Sequence, residues 1–223
     1  MDKKYKLIRS RLMLPLSEKL GRKTRLEDGY VLIEGVLIKE AGRYTPAIGR
    51  RIVQNHGSEL QVIGLPKGRD LVEENIPRLN AVMLPGFVKA HGHDHESPVI
   101  GIAKDEPLTE WLDHAINVFA GFLNEKKEWL RKKLGKYPHY VTYLKARLDD
   151  VHYGITSALS HHCNFNKYNA SDLVDANTRM GTKVIIAVGG HDQNYDPRIL
   201  DTPAQALKRL DEYYEEYKDR ERV

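Results

Sequence analysis

Through the first 80 or so residues, apolar positions come in short runs cut by turn formers. Lys6 to Leu14 is rich in β-formers, and Tyr30–Ile33 and Val36–Ile38 flank Glu34-Gly35, a turn signal. Glu59–Leu65 largely alternates apolar and polar, as a half-buried strand does. Gly and Pro recur so often (Pro15, Gly21, Gly29, Gly42, Pro46, Gly49, Gly57, Pro66, Gly68) that no long helix is expected between them. The pattern predicts a small antiparallel β unit.

Near Leu84 the pattern changes. Leu108 to about Leu134 places Trp111, Leu112, Ala115, Ile116, Phe119, Phe122 and Leu123 at helical spacing. Val141–His152 predicts a second helix with Leu144, Leu148 and Val151 on one side. Gly154–Leu159 and the β-branched run Lys183–Val188 read as buried strands, the latter covered on both faces. Between them Ser171–Met180 predicts a helix capped by Ser171 and stopped by Gly181. Thr202-Pro203-Ala204-Gln205 is a capping box with proline at the first helical position. Leu207, Leu210, Tyr214 and Tyr217 are expected to form the buried stripe of the helix it opens. Strands alternating with helices predict a parallel sheet with helices packed on it. The expected division is a β-rich segment, 1–84, and an α/β segment, 85–223.

Composition sets bounds on this picture. The chain has 223 residues, 41% hydrophobic and 30% charged, which suits a folded globular protein. Its one cysteine, Cys163, excludes an internal disulfide framework and fits a reducing compartment. The formal charge of +4 is spread over bases interleaved with acids, as in Glu125-Lys126-Lys127-Glu128. That is the pattern of a solvated helix face and argues against nucleic-acid binding. No apolar run approaches the ~18–20 residues that span a bilayer. Charge interrupts any signal-peptide core at the start, so the expected localisation is cytoplasmic.

The chemistry-bearing segment is Ala90-His91-Gly92-His93-Asp94-His95-Glu96, expected at the end of a strand beginning near Val82. Residues i and i+2 of a strand share a face, so His91 and His93 project side by side. Paired imidazoles suit a divalent ion such as Zn or Fe. Trp111 and Trp129 read as core residues, and Cys163 as a buried or incidental thiol.

The segment Met83-Leu84-Pro85-Gly86-Phe87-Val88-Lys89-Ala90-His91-Gly92-His93 resembles the first barrel strand of the metal-dependent amidohydrolase superfamily. That strand is an apolar run, Pro-Gly, an apolar pair and His-x-His. Gly101 to Leu112, ending in Pro107-Leu108-Thr109-Glu110-Trp111-Leu112, is similar to a stretch of the deaminase- and chlorohydrolase-like branch. Tyr153–Leu159 is similar to its second barrel strand, and the β-rich start to its flanking β-sandwich.

The resemblance implies a partial (β/α)8 TIM-type barrel of three to four βα units, preceded by strands of a small β-sandwich. A full barrel needs ~250 residues, and the stretch beyond Leu84 supplies about four of its eight units. The resemblance also implies a Zn or Fe ion on His91 and His93. The family's further ligands, histidines of the fifth and sixth strands and an aspartate of the eighth, have no counterparts here. Active sites of such barrels lie at the carboxyl ends of the strands. His161 and His162 follow the second strand and His191 the third, which places them at the same mouth as His91 and His93; of these His162 and His191 are the substrate-side candidates, with Asp94 and Asp192 behind them.

The implied function is hydrolysis of a C–N bond other than a peptide bond in a small heterocyclic or amide substrate. The alternative is a non-catalytic remnant or one subunit of a split enzyme. Either way, open barrel edges predict a partner chain or a second copy that covers them.

Overall fold

The computed structural model describes residues 3–223, and the chain divides into two compact units, Met1–Pro85 and Gly86–Val223. In the first unit β1 (Tyr5–Met13) is the central strand of a five-stranded sheet. On one side it pairs antiparallel with β2 (Leu26–Glu34), which turns at Gly35 into β3 (Leu37–Arg43). On the other side β4 (Leu60–Val62) lies along the first half of β1 and β5 (Leu79–Met83) along the second, both parallel to it. The sheet is therefore mixed, where an antiparallel unit was expected.

The reversal is made by α1 (Pro46–His56), a helix that the glycine and proline punctuation had argued against. Thr45 caps it by accepting from the Ile48 N–H, and Pro46 stands where its missing N–H costs nothing. Gly49 is here a packing device. A Cβ would sit 1.9 Å from the Tyr44 Oη, so only glycine lets that phenol lie against the helix. Leu7, Leu32, Tyr30, Tyr44 and Ile52 form the buried centre of the unit.

The second unit holds a three-stranded parallel sheet, β6 (Phe87–Lys89), β7 (Ile155–His162) and β8 (Lys183–Val188), in that order. The strand expected from Val82 into the histidines is thus two strands, β5 and β6, parted by Leu84-Pro85-Gly86. Helical segments connect β6 to β7: α2 (Leu108–Trp111), a π turn over Leu112–Ile116, α3 (Asn117–Glu125), α4 (Lys127–Leu134) and α5 (Pro138–His152). Then α6 (Ser171–Met180) joins β7 to β8, ending on left-handed Gly181, and α7 (Pro203–Tyr217) comes last with its capping box formed. The Ser171 hydroxyl bonds Asn169 and caps nothing, so that expectation fails.

Three apolar stripes also differ from expectation. On α5, Leu148 and Val151 are exposed, while His139, Thr142, Tyr143, Ala146, Arg147 and Asp150 face inward. On α7, Leu207, Leu210 and Tyr214 are exposed and only Tyr217 of that set is buried. Ile185 of β8 is 65% exposed, so this strand is not covered on both faces. Trp129 is likewise on the surface.

Charge explains the inward face of α5. Arg147 is buried and reaches both Asp94 and Asp150, at 2.7 Å from the latter. Lys89, the last residue of β6, bridges the same carboxylates at 2.6 and 2.9 Å. Four charges of alternating sign therefore close on one another. Burial alone would raise the Asp94 proton affinity, but the two cations outweigh it and hold the carboxyl below its ordinary range.

Arg147→Ala should cost about 3–5 kcal/mol, because it strands buried carboxylates with a single cation. Urea unfolding measures this; a cost under about 1 kcal/mol would show that the cluster does not hold α5 to β6. Stability should also depend on pH. Burial lowers the protonation of His162 to about 3 and of His139 to about 4, against an ordinary value near 6.5. Below pH ~6.5 the unfolded chain takes up these protons and the folded chain does not. Stability conferred by neutral burial is complete above that pH and falls as pH drops, by up to about 1.4 kcal/mol per unit for each group. Burial raises Asp172 to about 6, which opposes the loss until pH falls below the ordinary carboxyl range. Urea midpoints should therefore decline on acidification, and less steeply in His162→Gln; equal slopes in the two proteins would contradict a buried neutral ring.

Candidate metal centre

The site grows from the carboxyl end of β6. Past Lys89 the backbone stays tied to β7, because the His161 N–H donates to the Gly92 carbonyl at 2.8 Å. Gly92 is needed because a Cβ there would fall 2.8 Å from Lys89 Cε, and Lys89 is held in place by Asp94 and Asp150. On either side of this glycine His91 and His93 present their rings together, with centroids 5.2 Å apart.

A third imidazole joins them from β7. His161 Nε2 lies 3.0 Å from His91 Nδ1, and its ring stacks on His93 with centroids 4.9 Å apart and planes 14° from parallel. Deeper in, the turn after His93 buries His95. Cys163 Sγ is 3.5 Å from His95 Nε2 and 3.9 Å from His93 Nδ1. Donor atoms of His93, His95 and Cys163 all fall within 4.8 Å of one another. Glu96 completes the group, with Oε1 3.5 Å from both His93 Nδ1 and His95 Nε2.

Burial sets the charge state of this cluster. It lowers His95 protonation to about 3 and, aided by the neighbouring His161 and His91, lowers that of His93. Neutral imidazoles keep a lone pair for a metal. Burial also pushes the Glu96 carboxyl up to about 7 and the Cys163 thiol up to about 12. Beside the rings is a cavity of about 440 Å³, with Lys89, Glu96, Val99, Trp111 and Ala146 among its walls.

The other two candidate residues lie elsewhere. His162 is on the opposite face of β7 from His161, fully buried, with Nδ1 2.7 Å from the Tyr143 hydroxyl. Its Nε2 has no hydrogen-bond partner among the described residues. His191 packs edge-on against Tyr195 and meets Lys167, which is paired with Asp201. Asp94 is an ion-pair member. Of the residues that join the pair, sequence reasoning places His161 at the same mouth without ranking it, reads Cys163 as a buried or incidental thiol, and passes over His95 and Glu96. A usable signal existed for two of them: alternation along β7 and its extended continuation puts His161 and Cys163 on one face and His162 on the other.

No family model matches the chain. Over 104 residues it is 35% identical to a 5-methylthioadenosine/S-adenosylhomocysteine deaminase of Syntrophomonas wolfei, a stretch that is 47% of this chain and 19% of that protein. Its fold is similar to that of guanine deaminase from Bradyrhizobium japonicum, with a TM-score of 0.62 and 20% identity over 98% of this chain and 42% of the other. For guanine deaminase of E. coli the TM-score is 0.59 at 18% identity, over 98% and 44% of the two chains. For an atrazine chlorohydrolase of Arthrobacter aurescens complexed with zinc it is 0.61 at 17% identity, over 97% and 44%. The chain thus spans less than half the length of each of these proteins. These deaminases and this hydrolase are of the metal-dependent amidohydrolase superfamily, and that superfamily is what the chain resembles, in sequence over the matched stretch and in fold over nearly its whole length.

Proposed function

We propose that this chain supplies the β-sandwich strands and the first βα units of a (β/α)8 barrel, within a metal-dependent hydrolase of C–N bonds other than peptide bonds. The substrate class is a small heterocycle or amide, as the names of the similar deaminases suggest. The observation that carries the reading is the convergence of His91 and His93 at the carboxyl end of a parallel strand, beside a cavity.

The residues fit a divalent Zn or Fe ion. Both rings are borderline donors, and His93 is kept neutral by its surroundings. A bound ion of this kind supplies Lewis acidity, which makes water a nucleophile near neutral pH. The chain's own groups do the positioning. Glu96 Oε1 stands 3.5 Å from His93 Nδ1, beside the ring rather than hydrogen-bonded to it. Trp111, Val99 and Ala146 give the cavity an apolar wall suited to a flat ring, while Lys89 and Glu96 add polar contacts.

The sheet supports a partial barrel. Among the named strands β8 pairs with β7 alone. Beside it runs a groove of about 350 Å³ lined by Ile185, Val188, Leu210, Tyr213 and Tyr214. Further barrel strands, from this polypeptide or from a partner chain, would cover that surface. The same exposed edge favours a second reading, a subunit of a split amidohydrolase that carries no chemistry without its partner. Among the described residues no helix is long and apolar enough to cross a membrane.

Zinc equilibrium dialysis with elemental analysis tests the metal assignment. The wild-type chain should retain zinc, and His91→Ala combined with His93→Ala should weaken retention by an order of magnitude or more. Unchanged zinc content in the double variant sinks the reading.

A further inference from the structure

We propose that Cys163, His95 and His93, with Glu96 beside them, form an alternative metal site for a thiophilic divalent ion such as Zn²⁺, one that competes with the His91–His93 pair for the single lone pair of the neutral His93 ring. The inference deepens the metal reading above and rests on it only through the shared ring of His93.

The edges of the cluster carry the argument. A tetrahedral zinc with Zn–S near 2.3 Å and Zn–N near 2.0–2.1 Å places sulfur and nitrogen roughly 3.6 Å apart, and nitrogen and oxygen roughly 3.4 Å apart. Cys163 Sγ is 3.5 Å from His95 Nε2 and 3.9 Å from His93 Nδ1. Glu96 Oε1 is 3.5 Å from each of those same two nitrogens. Four of the six edges thus match, and all use one atom per residue.

Ordinary hydrogen bonding explains the arrangement less well. The thiol has one proton to give, so hydrogen bonding to both rings needs the second imidazole to donate its N–H to sulfur, a weak acceptor, and His93 Nδ1 stands 3.9 Å from it. His95 is nearly inaccessible to solvent, and its ring aims Nε2 at the centre of the group. The donor set, two imidazoles, a thiol and a carboxylate, selects zinc-like ions over Mg²⁺ or Ca²⁺, which take oxygen ligands. Three of these donors, His93, His95 and Cys163, fall within 4.8 Å of one another, and Glu96 stands beside the two nitrogens. An ion here would tie the turn after β6 to the end of β7. On binding, the S–H bond breaks, the sulfur keeps the electron pair as a thiolate ligand, and the proton leaves to solvent.

Cobalt(II) titration of the intact chain tests this, since a thiolate ligand gives an intense near-ultraviolet sulfur-to-cobalt band and imidazoles do not. The band should appear in wild type and in His91→Ala, and vanish in Cys163→Ser. As a check that needs no variant, saturating Zn²⁺ should slow modification of the wild-type thiol by a disulfide reagent by an order of magnitude. If cobalt binds without the band and is lost in His91→Ala, this proposal fails while the His91–His93 assignment stands. If the band forms and His91→Ala leaves metal stoichiometry unchanged, the Cys163 site stands and the His91 assignment fails. Absence of any bound cobalt, or a thiol equally reactive with and without Zn²⁺, overturns the proposal.

Discussion

The turn that carries the candidate centre is held by a closed circuit of four charges, three of them buried and the fourth, Lys89, half-buried. Lys89 ends β6, Asp94 begins the turn after His93, and Arg147 and Asp150 lie one turn apart on α5. Removing such charges from water is costly, and only mutual pairing offsets the cost. In forming, the circuit pins the two ends of the His91–His93 segment, from Lys89 before it and from Asp94 after it. The histidines between have little freedom left, which is what a preformed ligand set requires.

Around this circuit the chain concentrates neutral imidazoles. His93, His95 and His162 are all held in their uncharged form by burial, but to different ends. His95 and His93 point their free nitrogens at Cys163 and Glu96, whereas His162 spends one nitrogen on Tyr143 behind the sheet. The difference is one residue of strand register. On β7 His161 faces His91 and His93 and His162 faces α5, because successive side chains of a strand take opposite faces.

How much of this was legible varies with the physics involved. Local signals were enough for the Thr202 capping box, the Gly35 hairpin, the left-handed stop at Gly181 and the exposed–buried alternation of β4. They failed where a tertiary partner overrode a local preference. Gly49 looked like a helix breaker but makes room for Tyr44 against α1. Leu148 and Val151 marked what looked like the buried side of α5, yet the ion circuit turned Arg147 and Asp150 inward instead. On α7, Leu210 and Tyr214 line an open groove beside β8, so their apolar spacing did not translate into burial.

By itself the sequence determined the alternation of strands and helices beyond Leu84 and the side-by-side placement of His91 and His93. These are short-range properties, set by turn chemistry and by the two-residue period of a strand. Only the tertiary structure decided which further residues join that pair. Parallel pairing of β7 beside β6 brings His161 and Cys163 to the rings from some 70 positions away, a separation over which no local pattern speaks. The ion circuit then sets the turn that carries His95 and Glu96 into the same space. Proximity of that kind depends on how strands are laid against one another and on where buried charges find their partners.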